Sequence, residues 1–121
     1  MKPRKAIPRV NKKRLTGTVR IMKDGREICS MTREGREEYK RRTRQMYDRD
    51  SCICCLCGGF IAYGYTFEHK NGRGMAGGKR DDRIEGNGVA HWLGNGRKGS
   101  MSYETYMELP LEKRIENCRG L

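Results

Sequence analysis

Apolar positions are sparse in this chain, and their spacing changes along it. From 15 to 30 they alternate weakly, with Val19 and Ile21 on one side of Asp24-Gly25 and Ile28 on the other. Asp-Gly between alternating segments is a tight-turn signal, because both residues tolerate positive φ, and it predicts a short β-hairpin. From 33 to 48 the spacing lengthens. Tyr39, Met46 and Tyr47 form a thin apolar stripe among many charges, and Thr32 stands where a helix N-cap is wanted. A helix is expected there. Its Arg36, Lys40, Arg41, Arg42 and Arg44 leave most faces basic, as on a helix that contacts phosphate.

Alternation returns at Phe60, Ile61, Tyr63, Tyr65 and Phe67 and predicts a strand over 60–69 that ends at Glu68-His69. Val89, Ala90, Trp92 and Leu93 predict a second strand over 88–93. A helix or turn is expected from Asn95, with Tyr103 to Met107 continuing it. Pro110 suits the start of a last helix, with Leu111, Ile115 and Cys118 on one side and Gly120 as its stop.

Composition sharpens this outline. The chain has 121 residues, 35% of them hydrophobic and 35% charged, with a mean hydropathy of −0.95. One small domain is expected, with a core thin enough that a metal staple would help it. The formal charge is +12. Lys2, Arg4, Lys5, Arg9, Lys12, Lys13 and Arg14 crowd the first residues, where no acid stands among them. A polyanionic partner is therefore expected, bound through release of its counterions, with residues 1–15 as a basic arm disordered until it binds. No apolar run approaches membrane-spanning length, and no apolar h-region follows the basic start. A reducing cytoplasm is expected, where six cysteines suggest metal ligation or free thiols before disulfides.

Four clusters carry candidate chemistry. Cys54-x-x-Cys57 followed by Gly58-Gly59 has zinc-knuckle spacing, two thiolates on a tight turn. Cys52-x-x-Cys55 is a competing register, and Gly58 directly after Cys57 favours the first. His91 is a candidate third ligand, and Cys118 or Cys52 a candidate fourth. Glu68-His69 joins a hard oxygen ligand suited to Mg²⁺ or Mn²⁺ to an imidazole able to take a proton from water near neutral pH. The loop from Asn71 to Arg83 is not a phosphate-binding P-loop, because Arg73 and Arg80 stand where glycine and a hydroxyl are required. Its Arg73, Lys79 and Arg80 are candidate contacts to a DNA backbone. Last, Asn95 offers an amide oxygen, and Arg97 or Lys98 one turn on could hold a phosphate. On the preceding helix, Lys40, Arg41 and Arg44 are the candidate DNA contacts.

Together these residues resemble the HNH endonucleases, the ββα-metal or His-Me finger fold, over about residues 46 to 102. The matching text is Arg49-Asp50, Cys54-x-x-Cys57-Gly58-Gly59, Glu68-His69, Gly74-Met75-Ala76-Gly77-Gly78 leading to Arg80-Asp81-Asp82-Arg83, and His91-Trp92 with Asn95-x-x-Lys98-Gly99-Ser100. It is most similar to the small HNH proteins of tailed phages. The resemblance implies an α+β chain. Residues 1–15 would be the arm, 16–48 a hairpin and basic helix, 49–105 the nuclease core with its zinc knuckle, and 106–121 a C-terminal helix. It implies a metal-dependent endonuclease that hydrolyses DNA phosphodiesters, leaving 5′-phosphate and 3′-hydroxyl ends.

His69 would then be the general base and Asn87 the loop residue that orients it. Glu68 and Asn95 would hold the catalytic cation. Cys54, Cys57 and His91 would hold structural zinc. A second copy of the chain or phage packaging proteins would be partners, in the host cytoplasm. The alternative reading is a non-catalytic zinc-knuckle protein that binds nucleic acid on the same scaffold. Two departures from the family stand out. Gly94 occupies the place where a cysteine commonly precedes the last asparagine. Gly86, not Asn87, holds the usual place of the middle asparagine.

Overall fold

A computed structural model describes residues 17–70 and 79–120. The basic arm expected over 1–15, and Arg73 with the rest of 71–78, lie outside the described residues.

The chain is α+β. Strands β1 (Val19–Ile21) and β2 (Glu27–Cys29) form the hairpin expected around Asp24-Gly25, with Val19 opposite Cys29. Gly25 sits at φ +92°, the left-handed conformation the turn requires. Helix α1 (Arg33–Arg49) follows. The Thr32 hydroxyl accepts from the Gly35 N–H at 3.0 Å, so the expected N-cap is made. The apolar stripe turns inward: Met46 is fully buried, and Tyr39 and Tyr47 pack against the core.

Two strand expectations need correction. Residues 60–69 are not one strand. Gly64 at φ +75° interrupts the run, β3 covers only Tyr65–Glu68, and Phe60 pairs instead with Ile53 across the cysteine turn. The second strand, β4, is Gly88–His91, and helix α2 (Trp92–Lys98) starts directly after it. The Trp92 N–H donates to the Gly64 carbonyl at 3.0 Å, so Trp92 leaves the ladder and enters the helix. Asn95 therefore lies inside α2 rather than at its start. β3 and β4 pair antiparallel, Tyr65 opposite His91 and Glu68 opposite Gly88.

Helix α3 (Tyr103–Tyr106) does not continue the helix from Asn95 as expected: α2 stops at Gly99, φ +59°, and Ser102 caps a separate turn. Helix α4 (Leu111–Arg119) follows Pro110 and stops at Gly120, φ +81°, as expected. The core gathers Met46, Leu56, Ile61, Phe67, Val89, Ala90 and Tyr106 with the buried thiols Cys54 and Cys118. Among the described residues no helix is long and apolar enough to cross a membrane.

Candidate functional site

Two clusters occupy opposite ends of the β3–β4–α2 unit. The first is sulfur-rich. Ligand atoms of Cys54, Cys57, His91 and Cys118 all lie within 4.8 Å of one another and could hold a metal ion such as zinc. Cys54 Sγ and Cys118 Sγ are 3.8 Å apart, and Cys57 Sγ is 3.5 Å from His91 Nδ1. Tetrahedral zinc with bonds of about 2.3 Å to sulfur and about 2.0 Å to nitrogen requires separations of roughly 3.8 and 3.5 Å. The donor set therefore fits that ion in kind, and these two separations fit it in size.

The surroundings support ligation as well. The Leu56 and His91 N–H groups donate to Cys54 Sγ at 3.3 and 3.4 Å, and the Gly59 N–H donates to Cys57 Sγ at 3.4 Å. His91 Nε2 donates to the Phe60 carbonyl at 3.1 Å, which leaves Nδ1 as the ligating lone pair. The hydrogen bond with Cys118 and those from the His91 and Leu56 N–H groups hold the Cys54 thiol below its usual range despite burial, and the same contact with Cys54, with burial, pushes Cys118 up. Cys118 is thus the fourth member, and Cys52 is outside the cluster. The Cys54/Cys57 register prevails over Cys52/Cys55.

The second cluster lies around the end of β3, whose residues divide by partner. Phe67 and His69 stack, 4.4 Å between ring centroids, and Phe67 stacks on Tyr39 of α1 at 4.8 Å. Thr66 and Glu68 turn instead to α2. Asn95 Nδ2 donates to Thr66 Oγ1 at 2.7 Å and to the Phe67 carbonyl at 3.2 Å, which makes Oδ1 the acceptor end of that amide. Lys98 Nζ lies 3.1 Å from Glu68 Oε2. Glu68 is only 1% exposed and His69 6%.

Sequence reasoning missed Asp82, which is fully buried. Its Oδ1 is 2.8 Å from His69 Nε2. Arg80 donates to both carboxylate oxygens, and the Cys29 N–H of β2 donates to Oδ2 at 2.8 Å. Burial pushes the Asp82 carboxyl up, but the hydrogen bonds from His69, Arg80 and Cys29 outweigh it and hold the carboxyl well below the carboxylate range. The available signal was two acids inside a basic loop, each flanked by an arginine.

Asn87 turns its amide to the backbone. Its Oδ1 accepts from the Lys70 N–H at 2.9 Å, and its Nδ2 donates to the carbonyls of Asp81 and Arg83 at 2.9 and 2.6 Å. It ties the residue after His69 to the segment carrying Asp82. Arg49 reinforces that segment by donating to the Ile84 and Asn87 carbonyls at 2.9 and 2.7 Å.

The expected phosphate contacts divide. Lys98 is corrected: it is buried against Glu68 because an unpaired buried carboxylate would be costly, and it is no surface contact. Arg80 is drawn to Asp82, 2.8 Å away. Arg41 and Arg44 are exposed but pair with Glu38 and Asp48 on their own helix, at 2.7 and 3.4 Å. Lys40, Lys79 and Arg97 are exposed. Lys40 edges an open cleft of about 630 Å³ between α1 and β3, whose walls include Tyr39, Tyr65, Phe67 and Asn95.

Comparison with protein-family models, curated proteins and solved structures returned no match.

Proposed function

We propose that this protein is an HNH-type endonuclease, a ββα-metal finger that hydrolyses DNA phosphodiesters, with a structural zinc held by Cys54, Cys57, His91 and Cys118. One observation carries the reading. A hairpin and helix whose far end is fastened by a Cys3His cluster carry Glu68 at the end of β3 with His69 next to it, and Asn95 of α2 donates to the neighbouring Thr66 hydroxyl and Phe67 carbonyl of the same strand.

The chain's own groups have defined work in this reading. With Nε2–H donated to the Asp82 carboxylate, the basic lone pair of His69 is on Nδ1, which takes the proton from the attacking water. Glu68 and Asn95 offer carboxylate and amide oxygens, hard donors that suit Mg²⁺ or Mn²⁺. Glu68 and Asn95 would hold such a cation, which would supply electrophilic stabilisation of the leaving oxygen. His69 and Glu68 take partners on different sides of β3. Both residues are buried, so a phosphate reaches them only when neighbouring chain moves aside. Lys40, Lys79 and Arg97 are exposed and would hold backbone phosphates.

A plasmid-nicking assay with Mg²⁺, Mn²⁺ or EDTA tests this. Wild-type protein is expected to nick only with a divalent ion, and His69→Ala to lose about 10²- to 10⁴-fold, the usual weight of general-base catalysis. Equal cutting by His69→Ala ends the assignment.

The burial of Glu68 against Lys98 favours a second reading, in which this pair is structural and the protein binds nucleic acid without cutting it. Metal-independent binding with no nicking under any condition selects that alternative.

A further inference from the structure

Residues 51–67 and 86–96 contain no Lys, Arg, Asp or Glu, in a chain whose charged fraction is 35%. The structure brings these two uncharged segments together. On their surface stand Phe60, 64% exposed, Tyr63, 82%, and Trp92, 58%, with Ile53 beside them. Among the described residues these are the strongly exposed aromatic side chains.

Local contacts link the positions that carry them. Ile53 bridges to Phe60, and the Phe60 carbonyl accepts from His91, the residue before Trp92. Trp92 closes on Gly64, which follows Tyr63. A Cβ at Gly64 would meet the indole Cδ1 at 2.6 Å. The backbone beneath is that of the Cys3His cluster, so a bound metal would fasten the platform from below.

We propose that Phe60, Tyr63 and Trp92 form a stacking platform for unpaired bases of a single-stranded nucleic acid. A surplus of twelve positive charges draws a polyphosphate to the protein and opposes pairing with a second copy of it. An uncharged aromatic surface offers a protein partner no ion pairs, but it offers a base the π face that stacking needs. Stacking tolerates any base, and a duplex conceals the faces it uses. The platform does not depend on His69, so it stands whether or not the protein cuts DNA.

Trp92 is the chain's single tryptophan, so its fluorescence reports the platform directly. The full-length protein is titrated with oligo(dT), with an abasic strand of equal length, and with a blunt duplex. Quenching by oligo(dT), with little quenching by the abasic strand or the duplex, is expected. Phe60→Ala/Tyr63→Ala should weaken oligo(dT) binding by about 5- to 100-fold per ring removed, with duplex affinity unchanged. Phe60→Leu/Tyr63→Leu retains apolar cover without the rings and should show the same loss; it serves if the alanine pair folds poorly.

Equal quenching and affinity for oligo(dT) and the abasic strand overturn the proposal, as does wild-type oligo(dT) binding by the leucine pair. A dimer in sedimentation that Phe60→Ala dissociates overturns it too, and makes the patch a self-interface.

Discussion

Cys118 Sγ fills the space that a β-carbon on residue 94 would need, so the thiol from α4 and the side chain missing from α2 exclude each other. The HNH resemblance commonly has cysteine at position 94. Here Gly94 leaves room, and a cysteine from 24 residues further along enters the same corner of the cluster.

Metal binding should therefore respond to position 94 although glycine ligates nothing. Gly94→Ala is expected to displace Cys118 and weaken Zn²⁺ or Co²⁺ binding by at least about ten-fold, close to the loss from Cys118→Ala. Adding Gly94→Cys to Cys118→Ala should restore tetrahedral Co²⁺ absorption. Normal Co²⁺ spectra in Gly94→Ala would show that Cys118 is not a ligand.

The Glu68–Lys98 pair should behave as a buried unit. Lys98→Met leaves a carboxylate uncompensated and is expected to cost about 3–5 kcal/mol. Glu68→Gln in that background should recover most of the loss. Urea unfolding of the four proteins in this cycle gives the coupling energy, and a coupling near zero would mean that the pair does not form in solution.

Asp82 should act on activity through His69. Asp82→Asn keeps the shape but removes the charge that steadies the Nε2–H tautomer. A nicking defect no larger than about 10²- to 10⁴-fold is expected, the weight of the base itself. The ¹⁵N shifts of the His69 ring should show the tautomer changing in Asp82→Asn. Unchanged shifts would leave Asp82 as a fastener of β2 alone, through its bond to Cys29.

Acid stability should follow Glu38 in part, beside Asp82, whose carboxyl is also held low. Hydrogen bonds from Arg41, joined by Arg42, outweigh burial and draw the Glu38 carboxyl down to about 2. The folded value lies below the unfolded one of about 4.3. Its stabilisation is therefore complete above that pH and is lost as pH falls toward about 2. Guanidinium midpoints should drop between pH 5 and 2.5, and Glu38→Gln should flatten that drop. A drop of equal size in the variant would assign acid sensitivity elsewhere.

Local features are legible in the sequence. The Asp24-Gly25 turn, the Thr32 cap, the stripe of α1, the Cys54/Cys57 turn and the Pro110 and Gly120 limits of α4 each depend on neighbours a few residues away. Strand limits are less legible. The alternation of 60–69 looks continuous as a string of residues, but Gly64 turns left-handed to admit Trp92, and that reason lies on another segment.

The sequence by itself determined which residue types were available: thiols, an acid beside an imidazole, an amide and a large surplus of positive charge. Only the tertiary structure decided which of them meet. Cys118 joins Cys54 across 64 residues, and Asp82 takes Nε2 of the His69 ring. Lys98 goes to Glu68 and not to the surface. Each of these pairings balances burial of a polar group against a partner delivered by the path of the whole chain, and no local pattern encodes that path.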